Sequence, residues 1–104
     1  MDFYYLKKND SVDLSQLVFL EALENYTLFH LIDGSKVISS LTLKRHQENL
    51  LHKSFLRVNR SMMINALFVD SIVLKKDTHY ICLQNGKEIR VSRRRRDTLA
   101  DLAS

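Results

Sequence analysis

Residues 79–91, HYICLQNGKEIRV, carry the clearest structural signal in the chain. Asn85-Gly86 is typical of the two-residue turns that join antiparallel strands. After this turn, apolar and charged residues alternate from Glu88 to Val91, as expected of a strand with one buried face. The stretch therefore predicts a hairpin with strands at His79–Gln84 and Glu88–Val91.

Most of the remaining chain consists of similar short apolar runs separated by turn residues. Asp33-Gly34 is a second hairpin signal, and the runs on either side of it predict three antiparallel strands between residues 17 and 39. The polar residues 8–15 are predicted to be a connection. The further predicted strands are Phe3–Lys7, at an edge, Leu17–Leu23, Tyr26–Ile32, Ser35–Ser39, Phe55–Asn59 and Val69–Lys76. Residues 62–67 form an apolar but short run.

Two segments have helical rather than strand spacing. In residues 43–52 the positions Leu43, His46 or Gln47, Leu50 and Leu51 form one face of an amphipathic helix, with Thr42 or Ser40 as its N-cap. A short final helix is predicted after a Ser92 N-cap, with Leu99 and Leu102 as its buried positions. The expected fold class is mostly β, with short antiparallel sheets, one amphipathic helix and a short C-terminal helix.

The composition indicates one soluble globular domain over residues 1–104, since 104 residues are too few for two cores. The longest uncharged apolar run, Leu14–Leu20, is far shorter than the roughly 20 residues of a membrane helix. The N-terminus lacks the features of a secretory signal, and the lone Cys82 cannot form an internal disulfide. We expect a cytoplasmic protein without a membrane segment.

The positive charge is concentrated in one part of the chain. Residues 1–35 carry two Lys or Arg against six Asp or Glu, whereas residues 36–104 carry 14 against six. The second part therefore has a net charge of +8, which is the electrostatic signature of a protein that binds a polyanion. The charge count alone does not distinguish DNA from RNA, acidic sugars or anionic lipid.

The run Arg93–Arg96, directly after Ser92, is the strongest local signal for an anion. Four adjacent guanidinium groups repel one another, and the predicted first turn of a helix would add to this cost through the helix dipole. A bound phosphate would compensate both effects. The alternative is a basic face exposed to solvent.

A second basic cluster occupies residues 55–61, FLRVNRS. Arg60 interrupts the apolar alternation of Leu56 and Val58, so the strand is expected to end there and Arg60 to project from a loop. Arg can hydrogen-bond guanine through two parallel bonds, although a strand-end salt bridge is an equally simple explanation. Asn65 is interpreted as a turn residue bonded to local backbone.

Asn25-Tyr26 lies at the turn between two predicted strands, where an Asn side chain usually serves to stabilise the turn itself.

Catalysis is not supported, because His30, His46, His52 and His79 lack metal-ligand spacing and no phosphate-binding glycine loop is present. Cys82 is expected in the core rather than as a nucleophile. We predict no enzyme activity, no cofactor and no metal.

Three motif clusters and one helical segment together resemble the LytTR DNA-binding domain of the LytR/AlgR family of bacterial transcriptional regulators. FLEALENY at residues 19–26 resembles the family's "YIEA..NY" opening, and residues 43–50 resemble its helix. FLRVNRSMMIN at residues 55–65 is similar to "FxRVHRSYLVN", and Asn85-Gly86 with VSRR at residues 91–94 is similar to the closing "NG…VSRR". The match covers residues 19–102.

The resemblance implies a mostly β domain that inserts loops, rather than a recognition helix, into successive major grooves on one side of bent double-stranded DNA. It places base contacts at Asn25, Arg60 and Arg94, and phosphate contacts at Ser61, Arg93 and Arg95. The positive charges of Lys53, Arg57 and Arg96 are expected to add further phosphate contacts. Tyr26 and Asn59 are supporting residues.

The chain departs from the family pattern at three positions: Asn59 replaces a usual His, Met62 replaces an aromatic residue, and Arg95 replaces a frequent aromatic residue. The resemblance also implies direct DNA repeats as targets, a homodimer on DNA, and a receiver domain or sensor kinase upstream. Two other functions stay open from the residues alone: an RNA-binding module, or a basic protein-interaction domain without sequence-specific DNA binding.

Overall fold

The computed structural model describes residues 2–7, 10–51 and 53–103, and confirms the mostly β class. Its strands and helices are β1 (Phe3–Lys7), β2 (Asp10–Asp13), β3 (Leu17–Leu23), β4 (Tyr26–Leu31), β5 (Lys36–Ser39), α1 (Leu43–Asn49), β6 (Phe55–Asn59), β7 (Met62–Asn65), β8 (Val69–Lys75), β9 (Thr78–Leu83), β10 (Glu88–Arg90) and α2 (Thr98–Ala103). Single 3-10 turns occupy Leu14–Gln16, Ala66–Phe68 and Arg93–Arg95.

A five-stranded antiparallel sheet forms the middle layer, with the strand order β5-β4-β3-β7-β6. The predicted succession of three antiparallel strands between residues 17 and 39 is confirmed. Strand β3 lies at the centre and pairs with β4 on one side and β7 on the other. Its residues Leu17–Leu20 are all buried, because other layers cover both faces of the sheet.

One face of the sheet is covered by α1 and by the two-stranded ribbon of β1 and β2. The prediction of a connection at residues 8–15 is wrong at Asp10–Asp13, which pairs with β1, whereas Leu14 and Ser15 lie in the 3-10 turn that connects β2 to β3. Val12 and Leu14 are buried against the sheet, so this polar stretch still contributes two core side chains. Lys8 and Asn9 lie outside the described residues.

The opposite face is covered by a three-stranded sheet of order β10-β9-β8 and by α2. Leu99 and Leu102 of α2 pack against this second core, as predicted. Cys82 is not in the core, because the register of β9 turns Ile81 and Leu83 inward and leaves Cys82 half-buried on the outer face.

Both helices are shorter than predicted. Helix α1 begins after Thr42, whose side chain accepts a hydrogen bond from the Arg45 amide at 3.3 Å, and it ends at Asn49 rather than residue 52. His52 lies outside the described residues. Among the described helices, none combines the length and apolar character needed to cross a membrane.

The Arg93–Arg96 run does not form the first turn of an α-helix, contrary to the sequence prediction. Arg93–Arg95 form a 3-10 turn, the Ser92 side chain makes no capping hydrogen bond, and α2 begins only at Thr98. The helix-dipole argument for an anion site therefore does not apply, and the case for anion binding rests on the arginine side chains and their neighbours.

Beneath the β1–β2 ribbon, His46 of α1 is fully buried in a chain of hydrogen bonds. Its Nδ1 lies 2.6 Å from the hydroxyl of Tyr4, and its Nε2 lies 2.8 Å from that of Ser39. Asn49 donates to the Tyr4 hydroxyl at 3.1 Å. These contacts attach α1 to both β1 and β5, and burial lowers the pKa of His46 to about 4.

This buried imidazole predicts an acid-sensitive fold. Because the folded-state pKa lies below the ordinary value of 6.5, the unfolded chain binds the proton more readily. The stabilisation is complete above pH 6.5 and is lost as the pH falls towards 4, at a cost of about 3 kcal/mol. Urea denaturation at several pH values should show this loss in the wild type and a smaller one in His46→Gln. A ring-proton NMR titration of His46 with a midpoint near 6.5 would contradict it.

Candidate nucleic-acid interface

Three connecting segments meet at one end of the five-stranded sheet. The turn Glu24-Asn25 joins β3 to β4, and the turn Arg60-Ser61 joins β6 to β7. Because β3 and β7 are antiparallel neighbours, these turns lie side by side, and the Ala22 amide donates to the Ser61 carbonyl at 2.8 Å. The third segment, residues 91–96, follows β10 and runs along β6, where the Ser92 amide donates to the Val58 carbonyl at 3.0 Å.

Asn59 connects two of these segments. Its Oδ1 accepts hydrogen bonds from the amide and the hydroxyl of Ser61, at 2.9 and 3.2 Å, which shapes the turn that carries Arg60. Its Nδ2 donates to the Arg90 carbonyl at 2.7 Å, just before the third segment. One amide side chain thus sets the position of the Arg60 turn relative to the arginine run.

Arg57 reinforces the same turn from below. Its Nε donates to the Asn59 carbonyl at 2.8 Å, a terminal nitrogen donates to the Arg60 carbonyl, and the other donates to Gln47 of α1 at 2.9 Å. Three of its five N–H groups are therefore used within the protein. Burial and, to a smaller extent, the positive charge of Arg95 lower the pKa of the guanidinium.

Arg57, Arg60, Ser92, Arg94 and Arg95 line one open cleft of about 420 Å³. Arg60 and Arg94 are exposed, whereas Arg57 and Arg95 are half-buried. Within the described parts of the chain, none of these four arginines forms an ion pair with a carboxylate. The cleft therefore concentrates positive charge that the described residues leave uncompensated, and an external anion would stabilise it.

Arg93 and Arg96 turn to the other side of the segment. They line a small recess of about 40 Å³ with Asp77, His79 and Arg90 among its other residues. Both side chains are exposed. The arginine run thus presents Arg94 and Arg95 to the cleft and Arg93 and Arg96 to the neighbouring surface.

At the Glu24-Asn25 turn, Glu24 adopts the left-handed conformation, with φ of 54°. The backbone requirement of the turn is therefore met by Glu24 rather than by Asn25. The Asn25 side chain is exposed and makes no hydrogen bond to any described residue, which leaves its amide available to a ligand. Tyr26 follows with half of its surface exposed.

A family model for the LytTr DNA-binding domain matches residues 7–104. The chain belongs to the LytTR family of DNA-binding domains. Among the solved structures it resembles is the LytTr DNA-binding domain of a Bacillus cereus protein assigned as a methyl-accepting/DNA response regulator. The two are 25% identical with a TM-score of 0.78, over 100% of this chain and 98% of that chain. Among curated proteins, none matches the chain.

The LytTR fold brings together most of the residues singled out from the sequence, but not Lys53. Lys53 precedes β6, whereas Arg60 follows it, so the two lie at opposite ends of this strand. The Lys53 ammonium is paired with the Asp2 carboxylate at 2.9 Å, which ties the start of β1 to the segment after α1. Its position gives it no contact with the arginine cleft.

Sequence reasoning missed Gln47, the residue on α1 that supports Arg57. The helical spacing left His46 and Gln47 as alternatives for the buried face, and the LytTR domain uses both. His46 enters the core, and Gln47 lies beside a second cleft of about 510 Å³ that shares Arg57 and Arg95 with the first. The helical spacing therefore indicated Gln47, but nothing in the sequence indicated that Arg57 would be its partner.

The geometry around Asn59 predicts that Asn59→Ala will loosen the Arg60 turn. Three hydrogen bonds to Ser61 and Arg90 are lost, and the free energy of unfolding should fall by roughly 1–2 kcal/mol in urea denaturation. Amide exchange at Ser61 should become faster. The matched control is Asn85→Ala, which removes a similar bond to the Lys87 amide in the β9–β10 turn. Unchanged exchange at Ser61 in Asn59→Ala would refute the role assigned to this side chain.

Proposed function

We propose that this LytTR domain binds double-stranded DNA in a sequence-specific manner, through loops inserted into the major groove. The observation that carries this proposal is the shared cleft of Arg60 and Arg94, whose guanidinium groups are exposed and have no carboxylate partner in the described ranges. Exposed arginine side chains on short loops suit the O6 and N7 atoms of guanine.

Asn25 supplies the third base contact in this proposal. The centres of its turn and of the Arg60 turn lie two strand spacings apart, about 10 Å. The major groove is about 12 Å wide, so both turns can approach base edges from the same side of a duplex. An Asn side chain suits adenine through its N6 and N7 positions, and Tyr26 supports the loop from the adjoining strand.

Phosphate contacts are assigned to Ser61, Arg93, Arg95 and Arg96, which surround the base-contacting side chains. Arg57 has two N–H groups left after its internal bonds, and we assign it both a phosphate contact and the positioning of Arg60. Lys53 is the weakest of the phosphate assignments, since it is paired with Asp2 at the far end of β6. Simultaneous contact by several loops favours a bent duplex, so flanking sequences of high deformability should bind better.

The biological role proposed on this basis is bacterial transcription regulation in the cytoplasm, as a regulator in its own right or as the output domain of a response regulator with a receiver domain or sensor kinase upstream. The proposed targets are direct DNA repeats, each occupied by one copy.

Selection from a randomised duplex pool tests the proposed DNA-binding function. Enrichment of a duplex sequence supports it. Enrichment of none, or preferential binding of single strands, would favour the RNA-binding or protein-interaction alternatives.

Removal of either base-contacting arginine should reduce discrimination between DNA sites. Arg60→Ala and Arg94→Ala should each lose about 1–3 kcal/mol of preference for the selected site over a site with one substituted base pair. Competition gel shifts with the two duplexes give this difference directly. Unchanged discrimination in both variants would exclude the assigned base contacts.

Removal of a phosphate contact should weaken all duplexes to a similar extent. For Arg95→Ala, the slope of log K against log salt should become shallower by about 0.9, the contribution of one neutralised phosphate. The control is Lys75→Ala, because Lys75 is already paired with Glu88 at 3.1 Å on the outer face of the three-stranded sheet. A salt slope that changes as much in the control would show that only overall charge matters.

A further inference from the structure

Strand β8 has an outer edge that no described strand of the chain covers. It lies at the end of the order β10-β9-β8 and pairs only with β9. With seven residues it is the longest edge strand in the described ranges, and its Ile72 and Leu74 side chains are 37% and 62% exposed. A long apolar edge of this kind is a template for pairing with another strand.

The β8–β9 turn shows which backbone groups of β8 are free. Its two residues, Lys76 and Asp77, both have positive φ, of 48° and 65°, as in a type I′ hairpin. The residues that flank such a turn, Lys75 and Thr78, form a hydrogen-bonded pair, and bonding alternates along an antiparallel ladder. The N–H and C=O groups of Val73 therefore face β9, whereas those of Ile72 and Leu74 face outward.

We propose that this edge pairs with the same edge of a second copy, antiparallel about a two-fold axis at Val73. In this register Ile72 lies opposite the partner's Leu74, and both residues direct their backbone groups across the interface. Axes at Ile72 or at Leu74 also satisfy the hydrogen-bond alternation. The axis at Val73 makes two Ile72–Leu74 pairs. An axis at Ile72 or at Leu74 keeps only one apolar pair, of that residue with its own copy, and places Leu74 opposite the partner's Asp70 or Ile72 opposite the partner's Lys76.

The charges at the ends of β8 select the same register. With the axis at Val73, Asp70, at the irregularity between Val69 and Ser71, comes near the partner's Lys76, the first residue of the β8–β9 turn. Each end of the interface therefore brings opposite charges together. Lys75 adds no repulsion, because its ammonium is paired with Glu88 at 3.1 Å and lies 5.5 Å from the centre of the Tyr80 ring on the outer face. The edge is therefore complementary to itself in hydrogen bonding, apolar contact and charge.

This contact is separate from the proposed DNA function. A two-fold axis reverses one copy relative to the other, whereas direct repeats hold neighbouring copies in the same orientation. Pairing through β8 thus describes the protein free of DNA, or copies held on two separate duplex segments. None of the residues assigned to base or phosphate contact belongs to β8, so either proposal can fail without the other.

Sedimentation equilibrium without DNA tests the pairing. The wild type should double its mass from 12.2 kDa with increasing concentration, and Leu74→Lys should weaken association at least about tenfold. The control is Ile38→Lys, since Ile38 has the same 62% exposure and also lies on an edge strand, β5. A wild type that stays monomeric up to about 1 mM, or a dimer weakened by Ile38→Lys and not by Leu74→Lys, would overturn the proposal.

A charge exchange tests the register itself. Asp70→Lys and Lys76→Asp should each be monomeric, because like charges then face one another at both ends of the interface. A mixture of the two variants should form a heterodimer, and the double variant should recover the homodimer. Thermal melts of all variants establish that each is folded. Failure of both the mixture and the folded double variant to associate would exclude the axis at Val73.

Discussion

The pairing of β3 with both β4 and β7 is the constraint on which the rest of the domain depends. Because β3 is hydrogen-bonded on both sides and buried on both faces from Leu17 to Leu20, it fixes the positions of the neighbouring strands β4 and β7. The β3–β4 turn and the β6–β7 turn consequently emerge at the same end of the sheet. The two cores pack against opposite faces of this arrangement and so fix where the two turns lie.

Polar side chains hold the turns at this end of the sheet in place. Asn59 joins the Arg60 turn to the end of β10, and Arg57 holds the same turn through backbone carbonyls while Gln47 holds Arg57. These contacts order a turn whose exposed Arg60 side chain makes no hydrogen bond or ion pair with any described residue. Order in the backbone combined with unpaired exposed side chains suits recognition, since less conformational entropy is lost when the ligand binds.

Part of the fold and of the candidate interface could be predicted because the relevant signals are local. The hairpins at Asp33-Gly34 and Asn85-Gly86 follow from turn residues and alternating burial, and the family motifs marked Arg60 and Arg94 directly. The β2 strand could not be predicted in this way. Its sequence, Asp10–Asp13, has a single buried apolar residue, and it becomes a strand through pairing with β1 and packing against the sheet.

The sequence by itself determined the strand and turn pattern, the concentration of positive charge after residue 35, and membership of a DNA-binding family. Only the tertiary structure decided which charges act together. Lys53 and Arg60 are seven positions apart yet lie at opposite ends of β6, whereas Arg60 and Arg94, far apart in the chain, share one cleft. The physical reason is that side-chain spacing along a strand is local, while the meeting of two loops depends on non-local pairing and on packing between layers.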